Sequence, residues 1–145
     1  MGFKSWNINE LSISLNAIPL STGGYAEDEV LAIDWTEDWF TKYVGADGEV
    51  TRTRTNNFSA TATLKYAQTA DANTTLSAQL AKDIATLNGA AAGVFTVKDS
   101  GGGLVITSPR AWIIAPPQIR LGKTVQVFEW KIDLADARTS TFGGR

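Results

Sequence analysis

Between Phe58 and Tyr66 the chain alternates without a break. Phe58, Ala60, Ala62, Leu64 and Tyr66 form one set, and Ser59, Thr61, Thr63 and Lys65 form the other. A period of two puts each set on its own face of a strand, one apolar and one rich in hydroxyls, whereas a helix would scatter both. The run before it, Val50-Thr51-Arg52-Thr53-Arg54, is equally strand-prone. Asn56-Asn57 separates the two runs, and Asn tolerates the positive φ that a two-residue hairpin turn requires. The sequence therefore predicts a hairpin from Glu49 to Tyr66.

Further strands are expected on either side. Glu10 to Pro19 reads as one strand with Leu11, Ile13 and Leu15 on a face, ended by Pro19. Glu29 to Trp35 is a second, with Leu31, Ile33 and Trp35 opposing Val30, Ala32 and Asp34. Gly93–Lys98, Leu104–Thr107, Ala111–Ala115 and Lys123–Leu134 follow, the last with Phe128, Trp130, Ile132 and Leu134 facing one way. One helix interrupts them from Asp71 to Leu87, capped by Thr69 or Asp71, with Leu76, Leu80, Ile84 and Leu87 as its apolar stripe and Gly89 as its stop. About seven strands with one short α-helix predict a mainly β chain, an antiparallel β-sandwich or partly closed barrel. At 145 residues a single domain spanning 1–145 is expected. It would carry an N-terminal arm 1–9, a projecting loop 36–48 and a C-terminal tail 137–145.

Chemistry is sparse. With no His and no Cys, the usual general base, the thiolate nucleophile and most transition-metal sites are unavailable. The acidic pairs Glu37-Asp38 and Asp47/Glu49 fit no calcium-loop spacing, and Gly101-Gly102-Gly103 lacks the Gly-Lys-Ser/Thr ending of a phosphate loop. We expect no enzyme, no catalytic residue, no metal and no cofactor. No apolar run approaches the ~20 residues of a membrane span, so no membrane insertion is expected. The opening Met1-Gly2-Phe3-Lys4-Ser5-Trp6 lacks the apolar core of a signal peptide.

The aromatics carry more information. Trp35 is in strand phase and reads as core. Trp39, Phe40 and Tyr43 fall in the long connection 36–48 beside Glu37 and Asp38, where exposed rings fit an interface anchor. Phe3 and Trp6 in the first arm, and Phe142 in the last, stand isolated among polar residues and read as contacts to a neighbour. Charge is also uneven. Residues 1–50 hold nine acids against Lys4 and Lys42, a net of −7, and the remainder nets +5. Folding can average this out, or acids such as Glu37 and Asp38 can pair with Arg52 and Arg54 of another subunit.

Taken in order, Gly45-Ala46-Asp47-Gly48-Glu49-Val50-Thr51-Arg52, the Asn56-Asn57 region, the helix with Asn73 and Leu76, Val97-Lys98-Asp99, Ala115-Pro116-Pro117 and Glu129-Trp130 resemble the tail tube proteins of contractile-tailed bacteriophages. The resemblance covers nearly the whole chain. It departs before the helix, where Thr69-Ala70-Asp71-Ala72-Asn73 replaces a Ser-Pro-Ser-Asn type of segment. It implies hexameric rings of this chain, stacked helically into a hollow tube that conducts DNA without binding it specifically. The tail sheath, a baseplate or tube initiator and a tail terminator would be its partners, and the virion tail its location after synthesis in the host cytoplasm. Under this reading Trp39, Phe40, Tyr43 and Asp47 lie between rings and Asp34 lines the lumen. The alternatives are the tube of a phage-tail-like bacteriocin, or a monomeric carbohydrate-binding β-sandwich using Trp39 and Tyr43 as a platform.

Overall fold

The computed structural model describes residues 2–143; the ends of the expected arm and tail, Met1 and residues 144 and 145, lie outside it. After a short 3-10 turn at Ile8–Glu10, ten strands and one helix follow. They are β1 (Leu11–Leu15), β2 (Ile18–Pro19), β3 (Leu31–Trp35), β4 (Phe40–Val44), β5 (Val50–Arg54), β6 (Ala60–Ala67), α1 (Asp71–Ala85), β7 (Gly93–Asp99), β8 (Leu104–Ala115), β9 (Val127–Leu134) and β10 (Arg138–Phe142). Eight strands make one antiparallel sheet ordered β2-β1-β7-β8-β9-β6-β3, with β10 also on β8; β4 and β5 form a separate pair.

The alternation read from the sequence sets the faces. Ala60, Ala62, Leu64 and Tyr66 of β6 stand opposite Leu134, Ile132, Trp130 and Phe128 of β9. The first four are buried, as are Trp130, Ile132 and Leu134. They share one core with Ile13 and Leu15 of β1, Phe95 and Val97 of β7, and Leu76 of α1. The sheet is not closed, but it curls. Leu20, just past edge strand β2, accepts a 2.7 Å hydrogen bond from the Tyr66 hydroxyl on β6, several strands away in sheet order. Tyr25 stacks on Tyr66 at 5.8 Å. Burial pushes the Tyr66 phenol well above its ordinary pKa.

Several elements differ from the expectation. Glu10–Pro19 is not one strand: Asn16 and Ala17 both adopt positive φ (53° and 64°) and fold it into the β1–β2 hairpin. Gly93 makes room for that turn, since a Cβ there would lie 2.6 Å from the Asn16 side chain. The hairpin about Asn56-Asn57 is absent. β5 pairs with β4, and β6 pairs with β3 and β9. The turn that wins is Gly45–Glu49, where Gly48 supplies φ +88° and Asp47 Oδ1 accepts from the Glu49 amide at 3.0 Å. Asn57 instead caps its own neighbourhood, its Oδ1 accepting from the Ser59 amide at 3.1 Å. Thus Arg52 and Arg54 lie across from Lys42 and Phe40, not beside Ser59 and Thr61.

β8 runs unbroken through the two segments expected as separate strands. Its Pro109 sits where the register with β7 slips between Phe95↔Ser108 and Gly93↔Ala111, so the missing amide falls in an irregular stretch. Val127 opens the last expected strand later than Lys123, and part of the C-terminal tail is β10, in register with Leu104–Thr107. The helix begins at Asp71 behind Ala70, without a side-chain cap from Thr69 or Asp71, and stops before Gly89. Asn73 does the local work: its amide donates to the Ala67 carbonyl (2.9 Å) and its oxygen accepts from the Trp130 indole (2.9 Å). Only the first half of the apolar stripe is covered, since Ile84 and Leu87 are exposed.

Candidate assembly surfaces

The loop expected at 36–48 is the first half of a free-standing ribbon. Every residue of β4 and β5 is exposed, and the ribbon joins no strand of the main sheet. Register assigns its faces: Phe40, Lys42 and Val44 stand opposite Arg54, Arg52 and Val50, while Thr41 and Tyr43 stand opposite Thr53 and Thr51. One face is therefore basic and apolar, the other hydroxyl-rich with a single ring. The Arg52 guanidinium lies 4.5 Å from the Phe40 ring centre. Lys42 directly opposite Arg52 is a like-charge pair that weakens the ribbon by itself.

Trp39 seats the ribbon. Its ring meets Trp35 at 4.9 Å, Phe58 at 5.3 Å and Phe142 at 6.1 Å, with Trp35 6.2 Å from Phe142. Sequence reasoning placed Trp39 with Phe40 and Tyr43 as an exposed anchor, but Trp39 is partly buried in this cluster while Phe40 and Tyr43 point outward. Phe142, expected as an isolated arm contact, belongs to the same cluster and keeps an exposed outer surface. Phe3 and Trp6 remain exposed ahead of the first turn.

Among the described residues Glu37, Asp38, Arg52 and Arg54 make no ion pair within the chain. Glu37 accepts a hydrogen bond from the Thr55 hydroxyl, and the Arg54 guanidinium sits 5.9 Å from the Phe58 ring centre. Asp34 is exposed on the outer face of the main sheet, in line with Thr61 and Asp133; Thr61 Oγ1 donates to Asp133 at 3.2 Å. On the same face Lys65 lies between Glu29 (3.1 Å) and Glu129 (3.8 Å), and its hydrogen bond to Glu29 raises its pKa. Among the described residues no group of acids could hold a metal ion.

Sequence reasoning missed Val44 and Val50, which flank the ribbon's turn, and Phe58, which closes the aromatic cluster. The paired signal for the first was present in Gly45-Ala46-Asp47-Gly48, a turn motif between two β-prone runs. Nothing local marked Phe58, because its partners lie far away in sequence.

An open sheet around one core with an unpartnered ribbon is a frame for assembly, and relatives decide which. The profile of the family described as bacteriophage PhiTE tail tube protein matches residues 13–140. The chain belongs to the PhiTE tail tube protein family. It is a structural protein of phage tails. A curated relative, "Structural protein ORF10" of Pseudomonas phage KPP10, is 29% identical over 140 residues, covering 94% of this chain and 80% of that one. Two solved structures share the fold at low identity. The tube-terminating cap of the anti-feeding prophage superposes with a TM-score of 0.59 at 10% identity, over 97% of this chain and 94% of that one. The sheath-tube complex of the PVC extracellular contractile injection system gives 0.55 at 11%, over 90% and 88%.

Proposed function

We propose that the protein builds the inner tube of a contractile phage tail, as hexameric rings stacked helically around a channel through which DNA leaves the capsid. The observation that carries this reading is the β4–β5 ribbon. An isolated two-stranded ribbon is marginal in water, and one that exposes Phe40, Tyr43, Val44 and Val50 has a reason to exist only when another surface covers them. Trp39, Phe40, Tyr43 and the Asp47 turn then lie between rings, and Arg52 and Arg54 meet carboxylates of neighbouring subunits. Phe3, Trp6 and Phe142 reach adjacent subunits.

The outer sheet face suits a lumen. Asp34, Thr61, Thr63 and Asp133 offer hydroxyls and carboxylates, Lys65 is held by two glutamates, and Lys131, opposite Thr63, is a single base on these strands without an ion pair among the described residues. Each free base along a DNA track would add counterion-release affinity, so this pattern lets DNA slide. Sheath, tube initiator and tail terminator are the expected partners, after synthesis in the host cytoplasm. A carbohydrate platform is disfavoured, because Trp39 packs with Trp35, Phe58 and Phe142 while Tyr43 stands apart from it on the ribbon, so the two rings form no common surface. Negative-stain microscopy of the purified protein tests the reading. Hollow tubes built of six-fold rings are expected; a monomer at high concentration with saturable glycan binding would overturn it.

A further inference from the structure

Trp35, Trp39 and Phe142 do more than seat the ribbon. With Glu37 and Asp38 they wall an open hollow of about 300 Å³. Three rings, meeting edge-to-face or tilted at 4.9–6.2 Å, line this space together with two carboxylates, and both kinds of group attract cations. That combination selects a cation. Within the chain, guanidinium groups lie over the outlying rings Phe40 and Phe58, but among the described residues none lies over Trp35, Trp39 or Phe142.

A matching cation is displayed at the far end of the fold. The segment 118–125, Gln-Ile-Arg-Leu-Gly-Lys-Thr-Val, carries Arg120 and Lys123, no acid, and the exposed Ile119, Leu121 and Val125. Neither base has an ion-pair partner among the described residues. The two features sit at opposite ends of β6. Trp35 pairs with Ala60 at its start, while Gln68, just past Ala67, binds Gln126 through two hydrogen bonds. Eight residues of strand at ~3.3 Å each separate them by roughly 25 Å, too far for one chain to close the contact upon itself.

We infer that the Trp35–Trp39–Phe142 cup receives Arg120 or Lys123 from the 118–125 segment of a second copy of the chain. Charge complementarity commits the occupant: two acids on the rim meet two bases on the segment, and the segment's exposed aliphatic residues cover the ring edges. Donor and acceptor are different surfaces at opposite ends, so the contact is head-to-tail and repeats without closing on a pair. It would run along the β6 direction and set how one ring sits on the next. This inference rests on the reading of the protein as a tube subunit.

The absence of cysteine makes the contact directly testable. Asp38→Cys combined with Lys123→Cys, treated with a short bismaleimide, should give a ladder of covalent dimers, trimers and longer species, whereas each single variant gives no ladder. In parallel, Glu37→Lys with Asp38→Lys should raise the concentration needed for elongation by about tenfold or more, as should Arg120→Glu with Lys123→Glu. All four changes together should restore it, because the charges are exchanged in both partners. Tubes of the double-cysteine protein that yield only monomer after cross-linking, or charge-reversed variants that elongate like wild type, would overturn the cup contact and leave the tube reading standing. A wild-type protein that never assembles would remove both.

Discussion

Replacing Phe40 and Tyr43 with alanine should abolish tube growth while leaving the subunit as stable as before. Phe40 is 49% exposed and Tyr43 is 69% exposed on a ribbon that pairs with no strand of the main sheet. Taking about 200 Å² for each such side chain, roughly 100 and 140 Å² are left to be buried by a neighbour. At ~25 cal/mol per Å² that is about 2.5 and 3.5 kcal/mol. Ordering of side chains and incomplete contact discount the sum, leaving about 3 kcal/mol per subunit, or roughly a 100-fold rise in the critical concentration. In the free subunit the covered part of Phe40 lies under Arg52 of the same ribbon, so that loss falls on a separate two-stranded pair of marginal stability, and unfolding of the main sheet should change by no more than about 0.5 kcal/mol. At about 3 °C per kcal/mol for a chain of this size, Tm should stay within ~2 °C. Thermal melts by circular dichroism read the first quantity, and pelleting of assembled protein across a concentration series reads the second. Tubes forming at the wild-type concentration would refute the ribbon as an inter-ring element. A large drop in Tm would refute the claim that these rings serve assembly and not the core.

Asn73→Ala should act in the opposite sense. It strands the buried Trp130 indole donor, while the Ala67 carbonyl keeps the Ala70 amide at 3.0 Å, at a cost of about 1–3 kcal/mol, or roughly 3–9 °C in Tm by thermal melt; an unchanged melt would contradict the bridging role of Asn73. Higher salt should slow tube growth without dissolving finished tubes, because exposed pairs are worth ~0–1 kcal/mol each and screen over ~8 Å. Light scattering during growth, followed by dilution of mature tubes into salt, checks this, and dissolution in moderate salt would show that charge holds the tube together.

What the sequence made legible follows from how local each signal is. The inward set of β6 and its counterpart on β9 could be read directly, because alternation is a property of a few consecutive residues and one face is buried. Strand partners were harder. Val50–Arg54 is a good strand in any pairing, and the choice between a turn at Asp47-Gly48 and one at Asn56-Asn57 rested on which side chains bond the backbone. Ala17 adopts positive φ despite its Cβ, so the β1–β2 turn carried no glycine to announce it. The tail 137–145 was read as an arm reaching a neighbour because it is polar apart from Phe142, whereas its strand character comes from the edge that Leu104–Thr107 offers. Composition singled out Trp39, Phe40 and Tyr43, but their division into a seat, Trp39, and an outward pair, Phe40 and Tyr43, needed the three-dimensional arrangement.

The aromatic cluster joins residues 35, 39, 58 and 142, so its parts are about a hundred positions apart along the chain. Contacts that distant form late, after the intervening loop entropy has been overcome by the rest of the sheet. Phe142 reaches its place only when β10 has docked on β8. A chain caught with β10 undocked would thus lack both the firm base of its ribbon and one wall of the cup. In the proposed assembly, the ability to polymerise is then a late consequence of complete folding. A growing tube then needs no separate inspector, since a half-folded chain has nothing with which to hold on.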